Sequence, residues 1–203
     1  MNYIGILGGT FNPIHFGHLM LAESIMRDFS LEKIIFVPNY TSPFKTGDTV
    51  VDSNKRYEMV KLAIDHNPKF DVSDYEINKK NISYTFDTLS YFEEKMHKKI
   101  ALIVGYDSLL ELDSWYKGDK ILERFPIFTG KRTVKDEDMV IEKIAEFKKK
   151  YNADIMISNL EKINISSTDI RERIKNKLDV SKLLTREVLD YIKTNELYGY
   201  RNN

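Results

Sequence analysis

Three short, almost wholly apolar runs constrain this chain most: Tyr3–Leu7, Lys33–Pro38 and Ile100–Gly105, each followed by a segment with helical period. A run apolar at consecutive positions is a strand buried on both faces, and such strands belong to parallel sheets covered by crossover helices. Phe16–Phe29 repeats Leu19, Ala22, Ile25, Met26 and Phe29 along one helical face. Ser53–His66 reads as the next helix, with Tyr57, Val60, Leu62, Ala63 and Ile64 on its buried side. Phe70–Ile77 reads as extended. Tyr84–Lys98 is helical with Ser83 as its cap. Further on come helical stretches at 107–112, Gly118–Arg124 and Glu137–Lys150, then strands at Pro126–Thr129 and Ala153–Ser158. Thr168–Lys177 and Thr185–Asn195 are helices that close the chain. The order predicts an α/β fold with a doubly wound, mostly parallel sheet and a small C-terminal helical segment. No repeat, low-complexity tract or linker divides it, so residues 1–203 read as one domain, with 166–203 as the C-terminal helical part.

Composition removes several classes of function. The 31 basic and 31 acidic residues cancel, which leaves no excess of positive charge for general nucleic-acid binding. With no cysteine in the chain, disulfides, thiolate metal sites and a cysteine nucleophile are excluded. No apolar run approaches the ~20 residues that span a bilayer, and the Met1–Leu7 start reads as a strand rather than a signal peptide. The expectation is a cytoplasmic protein that binds neither nucleic acid nor membrane; a homo-oligomer is compatible with it.

In a doubly wound sheet, ligands sit beyond the carboxyl ends of the strands where the strand order reverses. The first strand-to-helix turn is Gly8-Gly9-Thr10-Phe11-Asn12-Pro13-Ile14-His15-Phe16-Gly17-His18. Its glycines let a phosphate approach the backbone, and the helix that follows offers N–H groups and a positive dipole end. It is neither a Gly-x-Gly-x-x-Gly fingerprint nor a P-loop. It offers instead His15 and His18, three apart on one helical face and half of the chain's four histidines. A His-x-x-His pair also suits a metal, but no third ligand lies nearby in sequence.

A second cluster, Ser166-Ser167-Thr168-Asp169-Ile170-Arg171, reads equally as a helix cap or as a phosphate site with hydroxyls and a guanidinium within one turn. Ser83-Tyr84-Thr85-Phe86-Asp87-Thr88 alone is a helix start. Gly105-Tyr106-Asp107, after the most apolar strand, can admit a ligand and present a carboxylate to a ribose. Trp115, the single tryptophan, is either a core plug or a platform for a flat ring.

Together these segments resemble the bacterial nicotinate-nucleotide adenylyltransferase family. The resemblance rests on G-G-T-F-N-P-I-H-F-G-H at 8–18, P-F-K at 43–45, S-Y-T-F-D-T at 83–88, G-Y-D…W-Y at 105–116, S-S-T-D-I-R-E-R-I at 166–174 and the tail E-V-L-D-Y-I-K-T-N-E-L-Y at 187–198. His-x-Gly-His alone marks the wider nucleotidyltransferase superfamily with its Rossmann-like fold; S-Y-T-F-D-T narrows it to pyridine mononucleotides. The resemblance implies that ATP and nicotinate mononucleotide, with Mg²⁺, give deamido-NAD and pyrophosphate without a covalent enzyme intermediate. By carry-over, Gly8, Gly9, Thr10 and Phe11 belong to the ATP site. His15 and His18 bind its phosphates, His18 stabilising the transition state, and Lys45 reaches them from its loop. Ser167, Thr168 and Arg171 hold the β- and γ-phosphates, and Gly105 and Asp107 face the adenosine ribose. Tyr84, Thr85, Trp115 and Arg132 form the mononucleotide side, the tryptophan by stacking. The sequence departs from that family's pattern at Phe44, where a histidine is frequent, at Tyr106, where a small residue is, and after Arg132, where proline usually follows.

The same transfer to nicotinamide mononucleotide is the nearest alternative, since a single backbone N–H can select the carboxylate. A phosphopantetheine acceptor fits S-Y-T-F-D-T and Trp115 poorly. A catalytically silent nucleotide-binding regulator belongs to another class, but His15, His18, Lys45 and Arg171 are all in place.

Overall fold

The structure is a computed structural model that describes residues 3–42, 50–130, 137–159 and 165–200. Six strands form one sheet among the described residues: β1 (Tyr3–Gly9), β2 (Lys33–Pro38), β3 (Phe70–Val72), β4 (Lys99–Ile103), β5 (Ile127–Gly130) and β6 (Ile155–Ser158), in the order β3-β2-β1-β4-β5-β6. The sheet is parallel, as read in the register of Leu7 with Ile103, Ile103 with Phe128 and Phe128 with Met156. Strand order reverses between β1 and β4, which is where a doubly wound sheet opens to a ligand.

The chain's contacts group into two compact units that alternate along the sequence. The first holds Met1–Gly8, Met20–Ile35 and Tyr84–Ile163; the second holds Gly9–Leu19, Phe36–Ser83 and Asn164–Asn203. In the first unit, Ile4, Ile6 and Leu7 of β1 and Ile100–Ile103 of β4 are buried, with Phe128 of β5 meeting the Tyr3 and Phe29 rings. Helix α4 (Thr85–Met96) lays Leu89 and Phe92 on β4. In the second unit, α2 (Ser53–Ile64) packs on α9 (Arg186–Thr194), where Val188 and Ile192, one turn apart, are fully buried. Each such side chain contributes ~1.5–3 kcal/mol when removed from water. Thr185 starts α9 by accepting from the Val188 N–H (3.3 Å).

The helix Phe16–Phe29 (α1) and β2 have the bounds expected from sequence. Three expectations change. Phe70–Ile77 is not extended throughout: β3 stops at Val72 and a short helix, α3 (Tyr75–Lys79), follows. Ser73 Oγ accepts from the Tyr75 N–H (3.3 Å), a local bond that turns the chain out of the strand. Nor does Ser83 cap α4. Its hydroxyl accepts from the Tyr40 N–H (3.3 Å), and its N–H donates to Thr41 O (3.1 Å). The cap position falls to Tyr84, which makes no side-chain capping bond. The buried side of α2 also sits differently from the expected one, on Ser53, Arg56, Met59, Val60, Ala63 and Ile64, with Tyr57 and Leu62 half-buried.

Candidate functional site

The segment after β1 belongs to the second unit and is stiffened from beneath. Phe11 is buried, with its ring edge-on to His18 (5.0 Å between centroids) and against Phe36 (6.0 Å). His15 and His18 stack at 3.8 Å with an angle of 28° between their planes. The His15 N–H donates to His18 Nδ1 (3.3 Å), so a neutral His18 ring carries its proton on Nε2 and can donate from there. His15 Nδ1 is buried with no hydrogen-bond partner. Burial holds the His15 imidazole down at about 4, so near pH 7 it is neutral. Fewer backbone donors point outward here than the helix start alone implies, because the Phe16 N–H already donates to Leu183 O (3.0 Å).

Two arginines hold this segment by its carbonyls. Arg56, 1% exposed, donates from Nε to Val51 O (2.8 Å). From Nη1 it reaches Thr10 O (2.7 Å) and Asn39 Oδ1 (3.2 Å), and from Nη2 Asn39 O (2.7 Å) and Tyr40 O (3.2 Å). Asn39 Nδ2 then donates to Thr10 Oγ1 (3.2 Å). Arg171, on helix α8 (Ser167–Lys175), donates to Asn12 O (2.9 Å) from Nη1 and to Thr168 Oγ1 (3.2 Å) from Nη2. Ser166 caps α8 through the Asp169 N–H (3.1 Å), and that leaves Ser167 to donate to Pro13 O (2.9 Å). The cap is thus Ser166, and the hydroxyl of the adjacent Ser167 is given to the Pro13 carbonyl. The Tyr198 hydroxyl, pushed up by burial against the pull of the Arg171 and Arg56 guanidiniums, stays protonated and donates to Asn12 Oδ1 (3.0 Å), which also accepts the Val51 N–H (3.2 Å).

Within the second unit, Ser167 and Arg171 thus attach the start of α8 to the Asn12 and Pro13 carbonyls, in the same segment that carries Thr10, His15 and His18. Hydroxyls, imidazoles and a guanidinium are donors suited to phosphate oxygens.

In the first unit, Gly8 and Gly105 follow the paired residues Leu7 and Ile103 at the ends of neighbouring strands. A Cβ on either would meet nothing within 4 Å, so space is open above both backbones, and Asp107 is exposed on α5 (Tyr106–Leu110) beside them in sequence. Thr85 opens α4, and the ring of Tyr84 before it lies 4.5 Å from that of Tyr116. This contact brings the Trp115 segment to the start of α4. Lys117 Nζ lies over the Phe86 ring (4.6 Å) and the Tyr116 ring (5.1 Å). Trp115 is half-buried rather than a core plug. Its carbonyl accepts from the Gly118 N–H (2.8 Å), where α6 (Gly118–Arg124) begins. Lys45 and Arg132 lie outside the described residues, as does Phe44.

The cytidylyltransferase-like family model matches residues 6–173. A probable nicotinate-nucleotide adenylyltransferase of Caldicellulosiruptor bescii is 40% identical over 195 residues, covering 96% of this chain and 98% of its own. One from Carboxydothermus hydrogenoformans is 38% identical over 198 residues, covering 96% and 97%. The chain belongs to the nicotinate-nucleotide adenylyltransferase family. A solved structure, Plasmodium falciparum nicotinic acid mononucleotide adenylyltransferase complexed with NaAD, shares the fold with a TM-score of 0.81 over 99% of both chains at 20% identity. The matched span of the family model takes in both Gly8–His18 and Ser167–Arg171.

Reading the sequence as a member of this family still missed Arg56, Asn39 and Tyr198. Arg56 carries a signal in the sequence: it stands three residues before Met59 and four before Val60, in the buried stripe of α2. A charge in an apolar stripe is either an error of phasing or a buried, fully bonded group, and here it is the second. Tyr198 lies in the tail that resembles the family, but nothing in the spacing of the tail indicates a partner at Asn12, 186 residues earlier.

Proposed function

We propose that this chain transfers the adenylyl group of ATP to nicotinate mononucleotide, releasing pyrophosphate and forming deamido-NAD, a step of NAD biosynthesis. The observation that carries the reading is that Ser167 and Arg171 bond the Pro13 and Asn12 carbonyls just ahead of the stacked His15 and His18, in a chain of this family. A mononucleotide 5′-phosphate oxygen attacks the α-phosphorus of ATP, and the bond from that phosphorus to the β-phosphate oxygen breaks. No protein group is adenylylated or phosphorylated. Catalysis is positioning and stabilisation of charge on the phosphoryl oxygens.

The roles divide among the residues as the family resemblance implies. His18 Nε2–H donates to the oxygens that gain charge in the transition state. Neutral His15 holds His18 through its N–H and its stacked ring. Thr10, Ser167, Thr168 and Arg171 bind the phosphates, with Gly8, Gly9 and the Phe11 backbone leaving room for them, and Lys45 joins them. Gly105 and Asp107 face the adenosine ribose. Tyr84, Thr85, Trp115 and Arg132 take the mononucleotide. Mg²⁺ enters on the ATP phosphates as part of the substrate and offsets their charge. The reading takes residues 1–203 as one nucleotidyltransferase domain with 166–203 as its C-terminal helical part. It places the enzyme in the cytoplasm; among the described residues no helix is long and apolar enough to cross a membrane.

The test is pyrophosphate release with ATP and Mg²⁺, comparing kcat/KM for nicotinate and nicotinamide mononucleotides. A clear preference for the acid is expected. A preference for the amide would replace the substrate, and no release with either would turn the reading to a silent nucleotide-binding protein.

A further inference from the structure

We propose that Arg56 and Asn39 form a relay that fixes the Thr10 hydroxyl as a hydrogen-bond donor to the ATP phosphates, with Arg56 as a positioning residue that never touches the substrate. The inference rests on the reading that residues 8–18 hold those phosphates.

Arg56 is fully buried and its five donor contacts all go to neutral oxygens: the Val51, Thr10, Asn39 and Tyr40 carbonyls and the Asn39 side-chain oxygen. A guanidinium is always charged, and burying it without a bonded carboxylate is a costly way to join three pieces of backbone. An apolar side chain of similar volume would be the less demanding filler. What the guanidinium adds is direction. Because Arg56 Nη1 donates to Asn39 Oδ1, the amide cannot turn over without setting its own NH₂ against an N–H. Its Nδ2 is therefore held toward Thr10 Oγ1 (3.2 Å). Once that oxygen accepts from Asn39, the Thr10 proton has to point away from Asn39.

Thr10, Asn39, Arg56 and Ser53 also border a cavity of about 370 Å³ in the second unit. The same guanidinium pulls on Thr10 O (2.7 Å). One side chain thus sets both the backbone position of Thr10 and the sense of its hydroxyl.

Asn39→Asp tests the sense of the relay with little change of shape. A carboxylate still accepts from Arg56, but it takes the Thr10 proton instead of supplying one. Binding of a non-hydrolysable ATP analogue with Mg²⁺ is measured by calorimetry without mononucleotide, beside Thr10→Val, Thr10→Ser and the double variant. Loss of one hydrogen bond to a charged ligand predicts that Thr10→Val and Asn39→Asp each weaken the analogue about 10- to 100-fold, and that Thr10→Ser restores most of it. The double variant should be no weaker than Thr10→Val alone, because both act through one hydroxyl. Arg56→Lys, which keeps the charge and loses the fork, should show the same coupling to Thr10→Val. If Arg56→Lys does not fold, the Asn39→Asp cycle decides.

Additive losses in the double variant, or analogue binding indifferent to Thr10→Val, would overturn the relay. Failure of the wild type to release pyrophosphate with nicotinate mononucleotide, with this binding cycle intact, would overturn the functional reading and leave the relay standing.

Discussion

The segments proposed to hold phosphate, in the second unit, and the ring, in the first, are built from different physics. On the phosphate side, residues distant in sequence meet through hydrogen bonds: Arg56 to Thr10, Arg171 and Tyr198 to Asn12, Ser167 to Pro13. On the ring side, contacts are largely aromatic, with Tyr84 on Tyr116, Lys117 over Phe86, and the turn that joins Trp115 to Gly118. A ligand whose charge shifts during reaction is served by donors that do not reorganise. A flat ring is served by area and a fixed plane. Removing His18, the donor to the charge that develops, should therefore appear in kcat, and substitutions on the second side in the KM of the mononucleotide.

The largest expected effect sharpens that contrast. His18→Ala should lower kcat ~100- to 1000-fold, the usual loss for one charge-stabilising donor, with little change in the KM for ATP. Steady-state kinetics with ATP as the varied substrate checks it; an unchanged kcat would move the phosphate chemistry away from His18. Next is the pH dependence of stability. His15 is held at about 4 in the folded chain by burial, against an ordinary 6.5. Between those values the unfolded chain binds a proton that the folded chain does not, so stability is fully present above pH ~6.5 and is lost as pH falls toward 4. The loss is on the order of 3 kcal/mol. Urea unfolding at pH 7.5 and 4.5 should show it in the wild type and show less of it in His15→Asn. Equal losses in both would mean that the stacked pair is not sensed as a buried base.

The same contrast explains what was legible in the sequence. Strands β1, β2 and β4 could be placed because a strand buried on both faces needs apolar residues at consecutive positions. The Gly8–His18 and Ser167–Arg171 segments stood out as candidates because glycine, imidazole and guanidinium gather there at a strand end and a helix start, although the second read equally as a helix cap. Their mutual attachment was not. That Ser167 bonds Pro13 O and Arg171 bonds Asn12 O is a fact about backbone carbonyls, which every residue has and no pattern marks. Ser83 failed as a cap for a related reason: a hydroxyl serves whichever N–H the fold brings to it, here that of Tyr40. The helix α3 was hidden because five residues are too few for a period to show.

Moving to the ring side, Gly118→Ala should break the turn that presents Trp115. A Cβ there would lie 2.1 Å from Leu112 O and 3.1 Å from the Asp113 backbone, so the backbone has to move. Overpacking of this kind costs ~1–3 kcal/mol, and thermal unfolding should show it as a lower Tm. Because the Gly118 N–H also holds Trp115 O, the KM for the mononucleotide should rise while the KM for ATP stays. A variant that changes both KM values equally would show that the two halves are not separable in this way.

The smallest effect is the most informative about the ring side itself. Trp115 is half-buried and follows the 3₁₀ turn Leu112–Ser114, whose last bond runs from its own N–H to Leu112 O (3.2 Å). Its backbone is thus fixed by residues that Trp115→Ala leaves alone. The substitution removes a face without removing the turn. A stacked aromatic pair contributes ~0.5–1.5 kcal/mol beyond buried area, which predicts a rise in mononucleotide KM of roughly 2- to 10-fold, kcat nearly unchanged and Tm little altered. Trp115→Phe should recover part of the loss, since a smaller ring keeps the plane. If Trp115→Ala instead lowers Tm by many degrees and leaves the mononucleotide KM alone, the tryptophan is a packing residue. The ring side would then have to be sought at Tyr84 and Tyr116, whose rings already lie together at 4.5 Å.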